Sequence, residues 1–284
     1  LGQANQSTDP VTYPVKMKKI SNIIQVAAGA NHAIMLDVNG NVWSTGYNNS
    51  GQLGIGNTDI QVLPQKMTLV SGIKEIAAGT NHSVMLTEGG YVLSVGDNYC
   101  SQLGDGSSTD RTTAVYVQNT SGNSVSDAKH IEAGGNSTYI SRKKDADGKA
   151  QGMYVIGYNN YGQLFTQNTK TATRATEVEK NLDILEIAAT QYSTALIVDG
   201  EGNVYTVGYD GQGQLGNGIY EHSKNKICIS NLQVKVTPKI INYQNVGEDS
   251  EKILAKTTIG FNLIKENIEG STYEFKTLDS EVAT

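Results

Sequence analysis

Short apolar segments alternate with glycine-containing polar segments from about residue 20 to about residue 230. In the clearest unit the apolar segments are Ile23–Ala28, Asn31–Asp37, Asn41–Gly46 and Leu63–Leu69. Their lengths are typical of β-strands, and the 3.6-residue period of an amphipathic helix is not evident. The Asn39-Gly40 pair predicts a two-residue hairpin turn with positive φ at both positions. The pattern therefore predicts four antiparallel strands in about fifty residues.

Two phrases recur in this register. AAGANHAIML at 27–36 precedes GYNNSGQLG at 46–54, and similar pairs begin at 77 and 96, at 132 and 157, and at 188 and 208. A period near fifty residues indicates a modular array. We therefore predict an all-β fold, a partial β-propeller of four-stranded blades with about 50 residues per repeat. The propeller region would span 1–231, with the tail of one repeat at 1–19 and four units at about 20–70, 71–126, 127–180 and 181–231.

Most of the recurring residues are expected to shape the blades. These structural positions are Gly29, His32, Gly46, Leu53, Gly79, His82, Gly96, Leu103, Gly134, Gly157, Leu164, Gly208 and Leu215. Apolar residues also recur in matching slots, namely Ile34/Val84/Ala195, Leu36/Leu86/Ile197 and Val42/Val92/Val204, which predicts packing between blades. His32 and His82 could instead be a pair of ligands or bases. We expect the ring to hold them far apart, each bonded within its own blade.

Composition and isolated motifs argue against several classes of function. The net charge of −6 and the pI near 5.3 disfavour nucleic-acid binding, and no apolar run is long enough to insert into a membrane. Cys100 and Cys228 form no CxxC pair, so we expect two unpaired thiols. The Asp145-Ala-Asp147-Gly148 segment hints at a calcium loop, but a solvated hairpin insertion explains it better. We predict no catalytic residue, no cofactor and no metal site, and therefore no enzyme.

The loops after the repeat glycines carry the candidate partner-binding residues. These are Tyr47, Tyr99, Tyr158, Tyr161 and Tyr209. Tyrosine offers a large contact area at a low entropic cost, so a row of tyrosines on one face is typical of a recognition surface. The neighbouring asparagines either share this role or satisfy the backbone of the turns, and the second interpretation is favoured.

The AAGxNHxxxL and VWSxGxNxxGQLG phrases resemble the repeat of the regulator of chromosome condensation family. The resemblance covers about residues 1–230 and implies a propeller that has seven blades when complete, so we expect this chain to be an internal piece of a longer protein. Ser137, Phe165 and Thr190 depart from the repeat. Near the other end, an aromatic segment at 273–275 precedes the phrase TLDSEVAT at 277–284. With this phrase, residues 232–284 resemble part of a group-2 bacterial immunoglobulin-like domain, which implies a truncated β-sandwich.

These resemblances imply a non-enzymatic interaction scaffold of a bacterial secreted or surface protein, with an extracellular location and a protein partner bound by the rim loops. One alternative is a propeller-type inhibitor of a secreted enzyme such as a β-lactamase. A further alternative is guanine-nucleotide exchange on a small GTPase, which the acidic charge disfavours.

Overall fold

The computed structural model describes residues 16–233 of the chain, and this part folds entirely as strands and loops, without a helix. Its sixteen strands form four separate sheets of four strands each, which we number as blades 1 to 4. Blade 1 contains β1 (Ile23–Ala28), β2 (His32–Asp37), β3 (Val42–Gly46) and β4 (Gln61–Lys66); blade 2 contains β5 (Ile73–Ala78), β6 (His82–Thr87), β7 (Val92–Gly96) and β8 (Arg111–Tyr116); blade 3 contains β9 (Ala128–Gly134), β10 (Ser137–Arg142), β11 (Met153–Gly157) and β12 (Ala172–Val178); blade 4 contains β13 (Ile184–Ala189), β14 (Thr194–Asp199), β15 (Asn203–Gly208) and β16 (Ser223–Gln233).

Each sheet is an antiparallel meander in which the strand order follows the chain. The first strand of each later blade contacts both the first and the second strand of the blade before it, so β1, β5, β9 and β13 form the inner side of the array. This arrangement confirms the predicted all-β fold of four-stranded propeller blades. Most of the predicted repeat tail at 1–19 and nearly all of the predicted immunoglobulin-like segment lie outside the described residues.

The hairpins between the second and third strands differ from the predicted two-residue turn. In blade 1 the loop has three residues, closed by hydrogen bonds from Asp37 N to Asn41 O (2.9 Å) and from Gly40 N to Asp37 O (3.0 Å). Gly40 has a positive φ of 75°, whereas Asn39 does not have one. The Asp37 carboxylate accepts the amides of Asn39 and Asn41, which stabilises this longer turn.

The Asp145 segment is a hairpin of the same kind. Its Oδ1 accepts hydrogen bonds from the backbone amides of Asp147 (3.1 Å) and Lys149 (2.8 Å), and Gly148 has a positive φ of 75°. The aspartates that hinted at a calcium loop therefore belong to a turn, as the hairpin interpretation predicted.

The hydrophobic core lies between the blades. Ile34, Leu36 and Val42 of blade 1 meet Ile76, Met85 and Val95 of blade 2; Val84, Leu86 and Val92 of blade 2 meet Ile131, Ile140 and Ile156 of blade 3; Tyr139, Met153 and Val155 of blade 3 meet Ile187, Ile197 and Val207 of blade 4. A sheet alternates its side chains between two faces, so every inner blade contributes one apolar face to each of two junctions. A blade is therefore stabilised mainly by its neighbours.

The register of blade 4 differs by one residue from the expected one. The sequence matched Ala195 with Ile34, but Leu196 occupies that slot, because it pairs with the first strand at the same level. The cause is one extra residue in the turn between β13 and β14, where Ser193 adopts a left-handed φ of 65°. A shift of one residue reverses the face of a strand, so Ala195 and Ile197 point to the opposite junction.

The outer face of β1 is exposed. Val26 occupies the same strand position as Ile76, yet its side chain is 71% exposed, whereas Ile76 is 3% exposed. The difference follows from the packing, since Ile76 is covered by blade 1 and Val26 has no described blade in front of it.

Candidate functional site

The four long loops between the third and fourth strands lie at one end of the blades, which we call the loop face. They span residues 47–60, 97–110, 158–171 and 209–222. The short turns between first and second strands lie at the same end, as the bond from Tyr47 N to Asn31 O (2.8 Å) shows. All five candidate tyrosines belong to these loops, so the fold places them on one face.

One buried side chain organises each loop, an asparagine in blades 1 to 3 and an aspartate in blade 4. Asn48, Asn98 and Asn159 are completely buried, and in each case Oδ1 accepts the backbone amide five residues ahead at 2.9–3.0 Å. Asp210 does the same in blade 4, at 2.8 Å. The donating amides belong to the repeat leucines, whose side chains are buried: Leu53, Leu103, Leu164 and Leu215. The turn interpretation therefore holds for Asn48, Asn98 and Asn159, whose side chains are buried, whereas Asn49 and Asn160 are exposed.

The recurring glycine of the AAG phrase provides space for the histidine ring. A Cβ atom at Gly29 would overlap the ring of His32, and one at Gly79 would overlap the ring of His82. Blade 3 has Ser137 at the histidine position, and blade 4 has Thr194 there because of its extra turn residue. The glycine and the histidine therefore form a structural unit.

The two histidines bond across the blade junctions and not within their own blades. His32 Nε2 lies 3.0 Å from Ser83 Oγ of blade 2, whose single hydrogen is donated to the Gln52 carbonyl at 2.8 Å. His82 Nε2 makes the same contact with a blade 3 threonine, also at 3.0 Å. Because the hydroxyl hydrogen is already used, each histidine must donate from Nε2 and carry no proton on Nδ1.

Burial explains why these rings remain neutral. It lowers the pKa of His32 to about 4, and burial together with the nearby charge of His32 lowers the pKa of His82 to about 3. Neither Nδ1 atom has a hydrogen-bond partner among the described residues. The prediction that the ring separates the two histidines widely is wrong, since they occupy consecutive junctions and influence each other.

At the junction of blades 3 and 4, a tyrosine of blade 3 replaces the hydroxyl donor that the following blade supplies elsewhere. The fully buried Tyr139 donates its hydroxyl to the Gln163 carbonyl at 3.2 Å. In the preceding junctions the equivalent carbonyls of Gln52 and Gln102 receive a hydroxyl from the next blade. Blade 4 has Ala195 at that position, so the donor comes from blade 3 itself. The Gln163 carbonyl therefore still accepts a buried hydrogen bond, although its donor lies in the same blade.

Three of the five candidate tyrosines come together, and a histidine joins them. Tyr161 meets Tyr158, Tyr209 and His222 edge to face, with ring centroids 6.3, 5.0 and 5.0 Å away, and Tyr209 stacks on His222 at 4.6 Å. We call these four residues the aromatic cluster. It joins the loops of blades 3 and 4 and is partly accessible, with His222 exposed. Sequence reasoning missed His222 because its position in the loop is not repeated.

The other two candidates stand apart from the cluster. Tyr99 is 85% exposed in the loop of blade 2, and Tyr47 is half-buried in the loop of blade 1. The structure therefore concentrates aromatic surface at the blade 3–4 end of the loop face.

Unsatisfied polar atoms occur in the same two loops. Gln163 Nε2 and Asp210 Oδ2 are buried without a partner among the described residues. In blade 2 the equivalent Gln102 Nε2 donates to Asp97 Oδ2 at 2.9 Å. Native structures contain few such atoms. Two of them beside the aromatic cluster therefore distinguish the loops of blades 3 and 4 from those of blades 1 and 2.

The inner strands carry an acidic groove. Burial, together with the carboxylates of Glu186 and Glu75 in the neighbouring blades, raises the pKa of Glu132 to about 7. His130 Nδ1 lies 3.3 Å from Glu75 Oε2.

In residues 16–233 no three side chains of His, Cys, Asp or Glu are grouped to hold a metal ion. Cys100 and Cys228 are free thiols, the first half-buried and the second exposed. This part of the chain also contains no helix that could span a membrane.

The blades, their polar junctions and their loop face define the class of this protein as a β-propeller of four-stranded antiparallel blades. Two family models described as the regulator of chromosome condensation (RCC1) repeat match the chain, one at residues 39–86 and the other at residues 23–52 and 73–102. Both matches lie in blades 1 and 2. No curated protein matches the sequence significantly.

Solved propellers share the fold. Human WBSCR16 superposes with a TM-score of 0.64 at 18% identity, over 76% of this chain and 55% of that chain. Prp20p from Saccharomyces cerevisiae, a protein described with its binding to Gsp1p and histones, superposes with a TM-score of 0.61 at 20% identity, over 76% of this chain and 52% of that chain. The chain thus spans about half the length of these two proteins.

Proposed function

We propose that this chain is a non-enzymatic protein-interaction propeller that binds a protein partner through the aromatic cluster of blades 3 and 4. The observation that carries the proposal is the convergence of Tyr158, Tyr161, Tyr209 and His222 on one end of the loop face. Partly exposed aromatic rings held by their neighbours are typical of binding hot spots, since little side-chain entropy remains to be lost.

Two observations support this proposal, one for the binding role and one for its setting. The matched repeat models and the RCC1-like fold indicate an interaction scaffold, and Prp20p is an example of that fold that binds proteins. The resemblance of residues 232–284 to a bacterial immunoglobulin-like module supports a secreted or cell-surface setting. We therefore propose an extracellular partner.

The test compares two double variants that remove the same number of tyrosines from the same face. Immobilised wild-type chain, Tyr161→Ala/Tyr209→Ala and Tyr47→Ala/Tyr99→Ala are exposed to bacterial envelope and culture-supernatant proteins, and bound proteins are quantified by mass spectrometry. We expect a partner whose recovery falls about tenfold or more with the first variant, the loss typical of two hot-spot residues, and changes little with the second. Circular dichroism melts verify that both variants are folded.

Equal recovery on both double variants would contradict the role of the aromatic cluster. Two defined probes separate the alternatives. Nanomolar inhibition of a class A β-lactamase that requires Tyr161 and Tyr209 would identify the partner as a secreted enzyme. Accelerated nucleotide release from a small GTPase would replace the scaffold proposal with an exchange factor.

A further inference from the structure

The loop of blade 4 contains an acidic residue where the other loops contain an amide. In blades 1, 2 and 3 the buried Asn48, Asn98 and Asn159 donate from Nδ2 to two main-chain carbonyls, nine and eleven residues ahead, at 2.9–3.2 Å. In blades 2 and 3 the same Nδ2 also donates to a side-chain oxygen seven residues ahead, at 3.1 and 2.9 Å. The pocket around this nitrogen is thus lined by oxygen atoms.

The loop of blade 4 keeps the conformation of the blade 2 loop. Asp210 Oδ1 accepts the Leu215 amide at 2.8 Å, as the asparagines do. Asn217 Oδ1 accepts the Ile219 amide at 3.1 Å, matching a bond of 2.9 Å in blade 2. The Asp210 amide is capped by His222 Nδ1 at 2.9 Å, where blade 2 uses an aspartate at 2.8 Å. Three equivalent bonds therefore place the same oxygen-lined pocket in blade 4.

Blade 4 lacks the side-chain nitrogen that donates into this pocket in the other three blades. Asp210 is completely buried, and its Oδ2 has no hydrogen-bond partner among the described residues. Asn217, Ile219 and Glu221 follow Asp210 by seven, nine and eleven residues, the offsets at which Asn98 Nδ2 finds its oxygen acceptors in blade 2, so Oδ2 corresponds to that nitrogen. A buried carboxylate oxygen opposite further oxygens is costly unless positive charge lies between them.

We propose that Asp210 Oδ2, Asn217 Oδ1 and the main-chain carbonyls of Ile219 and Glu221 form a binding site for a hard cation, with Ca²⁺ as the best fit. Calcium takes carboxylate, amide and main-chain oxygens in irregular loops and completes its coordination with water. Ligands at every second residue, 217, 219 and 221, suit an extended loop. Ile219 and Glu221 are exposed, so water can reach the outer side of the site. The site holds one carboxylate, so a search for clustered acidic or histidine side chains does not reveal it.

The site lies beneath one half of the aromatic cluster. His222 caps Asp210 and stacks on Tyr209 at 4.6 Å. A bound cation would therefore order the loop that carries two of the four rings. The cation site itself rests on the geometry of Asp210 and does not depend on the proposed partner.

The decisive experiment is the melting temperature of the full chain, first in EDTA and then in 5 mM CaCl2, MgCl2 or NaCl at matched ionic strength. We expect Ca²⁺ to raise the Tm of the wild type by about 2–4 °C, because a ligand that binds only the folded state stabilises it. Asp210→Asn restores the amide of the other blades, so this variant should melt above the wild type in EDTA and ignore Ca²⁺. Equilibrium dialysis with ⁴⁵Ca²⁺ should find one site per wild-type chain and none in the variant.

Asp145→Asn is the matched control. It removes the same charge from an exposed hairpin carboxylate, so its response to Ca²⁺ should equal that of the wild type. An equal response of wild type and Asp210→Asn would overturn the proposal. A wild-type Tm that is the same in EDTA and in all three salts would also overturn it.

Discussion

At the scale of single residues, the recurring letters of this chain have three distinct causes. Gly79 is required because its neighbour His82 fills the space that a Cβ would need. Gly96 is required because its φ is 113° and a Cβ would crowd the Asn81 carbonyl. Asn98 is required because one side chain must both accept and donate within its loop. Repetition in the sequence shows that such residues are required. Only the contacts in the structure show whether the reason is space for a neighbour, backbone conformation or hydrogen bonding.

Gly79→Ala is expected to lower the free energy of unfolding by about 2 kcal/mol or more, since overpacking a buried site forces the His82 ring or the backbone to move. Gly89→Ala, in an exposed hairpin of the same blade, meets only ordinary contacts with Tyr91 and should cost less than about 1 kcal/mol. Urea unfolding measures both. Equal midpoints would show that the histidine ring yields without cost.

At the scale of the elements, the strands were predictable and their exact registers were not. The alternation of Ile34, Leu36 and Val42 predicted the blade junctions, and the structure buries all three completely. The shift in blade 4 arises from a single added turn residue, Ser193, which no hydrophobic pattern marks. The hairpin after β2 is closed by a side chain, Asp37, whereas turn rules consider mainly the backbone.

The candidate site was predictable only in part, for a similar reason. Each tyrosine could be assigned to a loop by repetition, but the clustering of Tyr161 with Tyr209 depends on contact between two different blades. His222 and the unpaired Oδ2 of Asp210 are departures from the repeat, and a method that searches for recurrence passes over them.

Equivalent positions of two first strands should respond differently to truncation. Ile76→Ala is expected to cost about 2–5 kcal/mol, because it opens a cavity between blades 1 and 2. Val26→Ala removes a side chain that is 71% exposed and should cost less than about 1 kcal/mol. Guanidinium unfolding of both variants tests whether stability resides in the junctions. A similar loss for both would contradict the packing described for β1.

At the scale of the whole molecule, successive blades bring like charges together along the inner strands. Glu75, Glu132 and Glu186 come from blades 2, 3 and 4, and burial together with the two neighbouring carboxylates raises the pKa of Glu132 to about 7. The ordinary value is 4.5, so the folded chain holds this proton more tightly than the unfolded chain does. The stability that results is complete below about pH 4.5 and is lost as the pH rises through 7.

Glu132→Gln should therefore stabilise the chain at pH 8 by about 1–2 kcal/mol, after allowance for solvent screening of a partly accessible group. Near pH 5 the difference from wild type should largely vanish, because Glu132 is then protonated. The free energy of unfolding at the two pH values measures this. Glu88→Gln, which removes the same charge from an exposed hairpin, serves as control, and an identical pH dependence for both variants would contradict the prediction.

The hydroxyl bonds at the junctions also limit how such arrays can gain or lose repeats. His32 needs the hydroxyl of Ser83 in the blade that follows it, and His82 needs the blade 3 threonine at the same place. Blade 4 has Ala195 there and can follow blade 3 because Tyr139 supplies the donor. Deletion of blades 2 and 3 would set His32 opposite an alanine and strand a buried N–H group. Recombination between repeats is thus restricted to blades whose junction residues can hydrogen-bond to each other. The order of the blades is therefore under selection, in addition to the sequence of each blade.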